Sequence, residues 1–375
     1  MKKRLAVIIV GMLGFIAILG YSIYAISIQK GQDTVIQIYQ KDENGTPIVS
    51  PSPIKLVGKA GHRNLFKATL SGYELTTANP LPTRLPRQNQ VVHLTYKSTL
   101  SQTQIQHRLA TAKYLSVGTQ SVNQPVLNGQ QLVNVKNKNT VARISTSDDG
   151  KTWTKLPISY PKTKMTKPVI LYVQQRLYLF DGAKTYMTTN FVDWHQSTTT
   201  FSNSVFKDGQ VIATMPAKNG ASTLVVTGKN RRSGKRQYYA GRVKSARLTV
   251  ANWQSLHLKS TIEPVTFTMN QRNQRIYTVQ TTKRYFNIYQ AKKLTGPFKL
   301  VKRVKRPTKV TVNSVALLPK RKTGYRLVYN VINRQGVQSG PAYRELTAKF
   351  KPTGRQRDLI TDFSWYRFEV VNHEY

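Results

Sequence analysis

The chain has no cysteine in its 375 residues. Disulfide staples, Cys-containing metal sites and a nucleophilic thiol are excluded, so stability has to come from packed cores. Acidic residues are scarce: 15 Asp and Glu stand against 58 Lys and Arg, a formal net charge of +43. Histidine is sparse as well. His62, His93, His107, His195, His257 and His373 show no ligand spacing such as HExxH. Neither a Gly-x-Ser-x-Gly elbow nor a phosphate-binding loop of the form Gly-x-x-x-x-Gly-Lys-Ser/Thr occurs. No cofactor and no metal site is therefore expected.

Apolar residues make up 39% of the chain and aromatics 10%, 20 of them Tyr. That is enough for packed cores and argues against general disorder. The charge repels itself and attracts polyanions, unless it reflects general adaptation to acidic surroundings. MKKRLAVIIVGMLGFIAILGYSIYAISIQK opens with three basic residues and carries no charge from Leu5 to Gln29. A run this long fits a bilayer-spanning helix over about residues 5–28, with the basic end inside and the body outside. Cleavage near Ser27, after Ala25-Ile26-Ser27, is the alternative. The expected setting is the envelope of a Gram-positive cell. The anionic polymers at hand there are teichoic acid and acidic polysaccharide, with mucin-type glycans beyond them. Nucleic acid is not an expected physiological partner.

Residues 34–98 alternate apolar and polar residues in VIQIYQ and QVVHLTY, with an Asn44-Gly45 turn between early strands. The order VIQIYQKDENGTPI, LVGKAG, SGYEL, NQVVHLTYK resembles the mucin-binding-protein repeat (MucBP-like), a small β-grasp-type module. On that resemblance Tyr39, Tyr73 and Tyr96 pack in its small core, and the module serves as a spacer or a binding unit. Residues 99–112 are polar and free of Gly and Pro, and read as a linker or short helix.

Beyond residue 112, a pattern of polar residue, Pro or Ser, Val, strand, turn and strand recurs. It starts at Gln124, Lys167, Asn203, Glu263 and Asn313, with intervals of 43, 36, 60 and 50 residues. The units close on a turn and an aromatic: Trp153, Trp194, Trp253 and Phe298. Five four-stranded units over 113–375 give an all-β reading, a five-bladed β-propeller. TSDDGKTW, Thr146 to Trp153, resembles the Asp-box hairpin of sialidases and of other propellers. The resemblance implies an architectural role between the third and fourth strands of the first unit. Asp148 is expected to accept backbone N–H bonds, Gly150 to supply positive φ and Trp153 to plug between sheets, with Thr146 and Thr152 completing the motif.

Five-bladed propellers include glycoside hydrolases, which need at least two carboxylates at the funnel. Of the five inner-strand starts only Glu263 is acidic, and Asp208 in KDGQ is the next nearest acid. No catalytic residue is expected; if the chain is an enzyme, Glu263 and Asp208 are the pair. The five starts, Gln124, Lys167, Asn203, Glu263 and Asn313, are the candidate ligand residues. Basic runs at NRRSGKR (230–236), KLVKRVKRPTK (299–309) and LPKRKTGYR (318–326) offer a polyanion track or a solvated face. The resulting expectation is a membrane-anchored extracellular binding or adhesion protein for anionic or glycan ligands. The alternatives are an exported glycoside hydrolase and an envelope scaffold that binds another protein.

Overall fold

The computed structural model describes residues 33–372, apart from 44, 46–47, 49–52, 65, 67, 71, 77–80, 122–124, 129–130, 135–139, 162, 217–221, 246, 259–265, 271, 308–309, 321–322, 334–337 and 362–366. The expected membrane segment, residues 5–28, lies outside them. Among the described residues no helix is long and apolar enough to cross a membrane. The chain divides into two compact units. One comprises residues up to Lys97 together with Asn123–Asn137, the other Ser98–Val122 with Lys138–Tyr375.

In the first unit, β1 (Asp33–Asp42), β2 (Ile54–Lys59), β3 (Tyr73–Leu75) and β4 (Gln90–Ser98) form one sheet in the order β2-β1-β4-β3. β1 and β4 run parallel, and alternate residues Ile36, Ile38, Val92, Leu94 and Tyr96 are buried on one face. The Gln40 side-chain amide donates to the Tyr96 hydroxyl, which donates to Ala68 O, each at 3.1 Å. Tyr96 thus packs as expected. Tyr73 is partly buried against the same cluster. Tyr39 is a correction: the period of two puts it on the opposite face, stacked on His93 with ring centroids 5.2 Å apart.

The second unit opens with helix α1 (Gln102–Thr111), capped by reciprocal bonds between Ser101 and Gln104. Ile105 and Leu109, four apart on one helix face, enter the core, so this stretch is part of the unit and not a free linker. β5 (Tyr114–Ser121) follows. β6 (Pro125–Asn128) and β7 (Gln131–Asn134) form a separate hairpin belonging to the first unit.

Returning to the second unit, β8 (Thr140–Ser147) and β9 (Thr152–Lys155) pair in succession outside β5. Four regular antiparallel sheets then follow in chain order. They are β10 (Val169–Val173), β11 (Arg176–Asp181), β12 (Lys184–Thr188) and β13 (His195–Thr198); β14 (Phe206–Pro216), β15 (Ser222–Asn230), β16 (Arg236–Val243) and β17 (Val250–Ser255); β18 (Phe267–Asn270), β19 (Arg275–Thr281), β20 (Tyr285–Ala291) and β21 (Lys299–Lys305); and β22 (Val310–Pro319), β23 (Tyr325–Asn333), β24 (Gln338–Leu346) and β25 (Pro352–Asp358). Each pairs in strict chain order. The remaining strands, β26 (Ile360–Thr361) and β27 (Arg367–Asn372), complete the sheet begun by β5, giving the order β26-β9-β8-β5-β27.

The first strands read as near-continuous apolar runs, as in VILYV, because both faces are covered by neighbouring sheets. β10, β14, β18 and β22 lie next to one another in that order, and β27 lies beside all four. The sequence reading placed the first strand of the first repeat at Gln124. That expectation is corrected: the hairpin after it pairs with nothing in the five-stranded sheet, and the position beside β5 is filled by β27, almost 250 residues later in the chain. Gln124 itself lies outside the described residues.

Candidate functional site

In a four-stranded antiparallel sheet, the turn between the second and third strands lies at the end where the first strand begins. This near end carries three described turns, each held by its own backbone or by a short side chain. At 181–184, the Asp181 carboxylate accepts from Thr166 N (2.9 Å), Thr166 Oγ1 (3.0 Å) and Lys167 N (2.9 Å). At 230–236, Asn230 Oδ1 accepts from Arg232 N (3.0 Å) and Ser233 N (2.8 Å), and Gly234 takes φ +66°. Arg231 Nε reaches back 2.7 Å to Asn203 O. At 282–285, Thr282 Oγ1 accepts from Tyr285 N at 3.0 Å, and Arg306 Nη1 donates to Thr282 O at 2.7 Å. Burial lowers the pKa of Arg306 from its ordinary value.

The turns are ordered while their long basic side chains project outward: Lys167, Arg231, Arg232, Lys235, Lys283 and Arg284 are all exposed. Tyr285 (39% exposed) and Val205 (46%) stand among them, so the surface combines cations with uncovered apolar area. Asp181, the carboxylate closest to the first of these turns, spends its oxygens on backbone and hydroxyl donors. What the surface offers an incoming ligand is therefore cationic. Among the described residues no group of His, Asp and Glu is placed to hold a metal ion.

The structure brings only part of the candidate set to this end. Lys167 and Asn203 both precede first strands there; the Asn203 carboxamide accepts from Val205 N and Phe206 N at 2.8 and 2.9 Å, which fixes it in an Asx turn. Asn313 lies inside β22 at a register shift between Val312 and Ser314, and its side chain is outside the described residues. Glu263 is outside them too. Asp208 is exposed, takes φ +55° and donates its N–H to Ser202 Oγ at 3.3 Å, within the irregular start of β14. No contact joins it to a second carboxylate among the described residues.

The far end holds the Asp-box turn between β8 and β9. Gly150 has φ +68° and Trp153 is 2% exposed, packed with Tyr114, Ala316, Leu318 and Val328 between two sheets. Replacing a core Trp of this kind by Ala costs roughly 3–5 kcal/mol. The acceptor is a correction. Asp149, and not Asp148, receives Lys151 N and Thr152 N, both at 2.7 Å, while Gly150 N donates to Ser147 Oγ at 2.8 Å. Only the carboxylate directly before the glycine reaches back over the turn; Asp148 instead accepts from Lys113 N at 3.3 Å.

Sequence reasoning saw Trp194 as a related plug but missed how closely its turn repeats the first. Phe191 N donates to Thr188 Oγ1 (2.9 Å), and Asn190 Oδ1 accepts from Val192 N (3.0 Å) and Asp193 N (2.9 Å). Asn190 stands where Asp149 does, and Phe191, at φ +62°, where Gly150 does. The signal was Thr-x-Asn four residues before a turn aromatic, with an amide in place of the carboxylate.

A buried clasp ties the Asp-box turn to the sheet of β22–β25. Arg326 donates to Asp149 O through Nη1 and to Glu345 Oε1 through Nη2 (2.8 Å) and Nε (3.1 Å). Lys320 Nζ lies 3.0 Å from the other Glu345 oxygen. Burial pushes the Glu345 pKa up, but the hydrogen bonds from Arg326 and Lys320 outweigh it and leave the carboxyl below its usual range. Asp149 behaves alike: burial is overcome by the Thr152 and Lys151 amides.

No family model matches the chain, and no curated protein matches it. Among solved structures it is similar to a protein of unknown function from Dyadobacter fermentans, with 15% identity, 62% of this chain and 75% of that one covered, and a TM-score of 0.39. It is also similar to two proteins from Bacteroides thetaiotaomicron. With an endo-arabinase it shares 13% identity over 60% of this chain and 89% of that one, TM-score 0.37. With an endo-1,4-beta-xylanase it shares 9% identity over 66% and 93%, TM-score 0.39. Nothing about this chain's activity follows from likenesses of that size.

Proposed function

We propose that the second unit is a five-bladed β-propeller whose near end binds an anionic or glycan polymer, that the first unit is a MucBP-like module, and that residues 5–28 hold the protein to the membrane with its body outside. The observation that carries the reading is the near-end surface. Its turns are fixed by hydrogen bonds before any ligand arrives, so Arg231, Arg232, Lys283 and Arg284 are presented at little further ordering cost. The test is binding of the full chain in detergent to purified teichoic acid, mucin and a neutral glycan, at low and at physiological salt. A shaped site keeps one ligand at physiological salt and loses at least tenfold in affinity in Arg231→Ala/Arg232→Ala. Equal binding to every polyanion, abolished by salt, refutes it.

Hydrolysis is the second reading. It rests on Asp208, an exposed carboxylate in left-handed backbone at the start of β14, the first strand of its sheet, with Glu263 as its partner. Release of reducing ends from arabinan or xylan, lost in both Asp208→Asn and Glu263→Gln, supports it; no release by the unaltered chain rejects it.

A further inference from the structure

Two neighbouring sheets of the second unit, β14–β17 and β18–β21, carry the same pair of features at the near end. On the first, Val205 is 46% exposed and its carbonyl accepts from Arg231 N at 2.8 Å, while Arg231 Nε donates to Asn203 O at 2.7 Å. An uncovered aliphatic side chain thus stands beside a guanidinium held by its Nε, which leaves both Nη groups for a ligand.

On the second, Tyr285 is 39% exposed, and its backbone is tied on both sides to Thr282: its N–H donates to Oγ1 at 3.0 Å and its carbonyl accepts from N at 2.9 Å. Phe286 beside it stacks on Tyr329 with ring centroids 5.1 Å apart, but Tyr285 has no ring partner among the described residues. Arg306 Nη1 donates to Thr282 O at 2.7 Å and Arg306 N to Arg284 O at 3.0 Å, so here too an exposed apolar face and an anchored guanidinium share one turn. The third described turn, at 181–184, lacks the pair. Pro168, just before the first strand, is buried there, and the Asp181 carboxylate sits on Thr166 and Lys167.

Given the near-end binding proposed above, on which this rests, we propose that the two turns are consecutive subsites for an acidic polysaccharide, each taking one sugar ring that carries a carboxylate. The cations alone do not choose this ligand, because an anchored guanidinium suits a carboxylate and a phosphate alike. The apolar partners do choose. The C–H face of a pyranose can cover Tyr285 or Val205, whereas a polyol phosphate chain has no ring face to lay there. A neutral glycan has the ring face but draws nothing from the charge of Arg231 and Arg306. Only a ring bearing a carboxylate uses both members of the pair, and the repetition of the pair on adjacent sheets suits a polymer that repeats such a ring.

The experiment uses the full chain in detergent at physiological salt and three end-labelled probes of matched length, read by anisotropy: oligogalacturonate, its methyl ester and oligo(glycerol phosphate). Oligogalacturonate is expected to bind at least about tenfold more tightly than either of the others. Tyr285→Ala should weaken it at least about fivefold, and Tyr285→Phe, which keeps the ring, hardly at all. Val205→Ser should weaken it too, and the double variant Val205→Ser/Tyr285→Ala by about the product of the single effects. None of these variants should alter what binding oligo(glycerol phosphate) shows, which controls for folding. Equal binding of the two anionic probes, or indifference of oligogalacturonate to both Tyr285→Ala and Val205→Ser, would overturn the subsites; the near-end surface would still stand if Arg231→Ala/Arg232→Ala weakened binding. Failure of the unaltered chain to bind any of the three would overturn both.

Discussion

Arg326→Met removes the clasp while keeping most of the aliphatic stem. Arg326 is 7% exposed and Glu345 19%. Deleting one partner of a buried ion pair costs about 3–5 kcal/mol when the other charge is left alone. Glu345 is not left alone, since Lys320 stays 3.0 Å away and some solvent reaches it. The Asp149 carbonyl, in contrast, loses its donor, worth about 1 kcal/mol. The expected loss is about 2–3 kcal/mol, a fall in melting temperature of roughly 5–8 °C for a unit of this size. Glu345→Gln should cost less, about 1–2 kcal/mol, because the amide still accepts one bond. The double variant should cost less than the sum by about 1 kcal/mol or more. Calorimetry on the four proteins decides it. A loss below about 1 kcal/mol for Arg326→Met would mean that the clasp couples nothing across the two sheets, and strict additivity would mean that Arg326 and Glu345 do not act as a pair within theirs.

The same carboxyls give a pH dependence. Asp149 and Glu345 have folded pKa values below their ordinary 3.8 and 4.5, so their stabilisation is present above those values and lost as pH falls through the lower folded ones. Melting temperature should therefore drop below about pH 4.5, and less steeply in Arg326→Met; identical slopes would contradict the assignment. Gly150→Ala puts a Cβ 2.9 Å from Arg326 Nη1 and 3.0 Å from Leu318 Cδ1 at φ +68°, whereas Gly182→Ala meets open space at φ +65°. Denaturation midpoints should show the first variant losing about 2 kcal/mol or more and the second about 1 kcal/mol. Asn190→Asp should lose about 1 kcal/mol or more, since the Asn190 amide donates to Asp193 Oδ2 at 2.8 Å and a carboxylate there would meet a like charge, and Asn190→Ala should lose about 1–2 kcal/mol in the same assay.

Much of the second unit was legible because local pattern dictates local structure. Four of the five repeat starts, at Lys167, Asn203, Glu263 and Asn313, fall at or near β10, β14, β18 and β22, where apolar runs mark strands covered on both faces. The start at Gln124 failed for a physical reason. A Pro-Val strand and a turn look the same in sequence whether they join a sheet or stand apart as a hairpin, and nothing local shows that residues 367–372 return to β5. The turn that resembles an Asp-box was marked by Gly150 and Trp153, but two adjacent aspartates left the acceptor to be decided by which one reaches over the turn. The candidate site was less legible. Basic residues are spread through the whole chain, so only the turn geometry shows which of them are held in place, and the acid in the best position for catalysis by sequence, Glu263, lies outside the described residues.

The placement of β26 and β27 has a consequence for how the protein is made. The sheet that begins at Tyr114 receives its outermost and its innermost strands from residues 360–372, so neither side of it is finished while those residues are still in the ribosome or the secretion channel. Until then β5 offers its unpaired side to any passing strand, and the other four sheets have nothing to close against. For the exported chain proposed above, translocation would deliver an open structure first, sealed only when residues 360–372 arrive. Release of that segment, and not the slow formation of any single sheet, would set the moment at which the molecule becomes resistant to proteases at the cell surface.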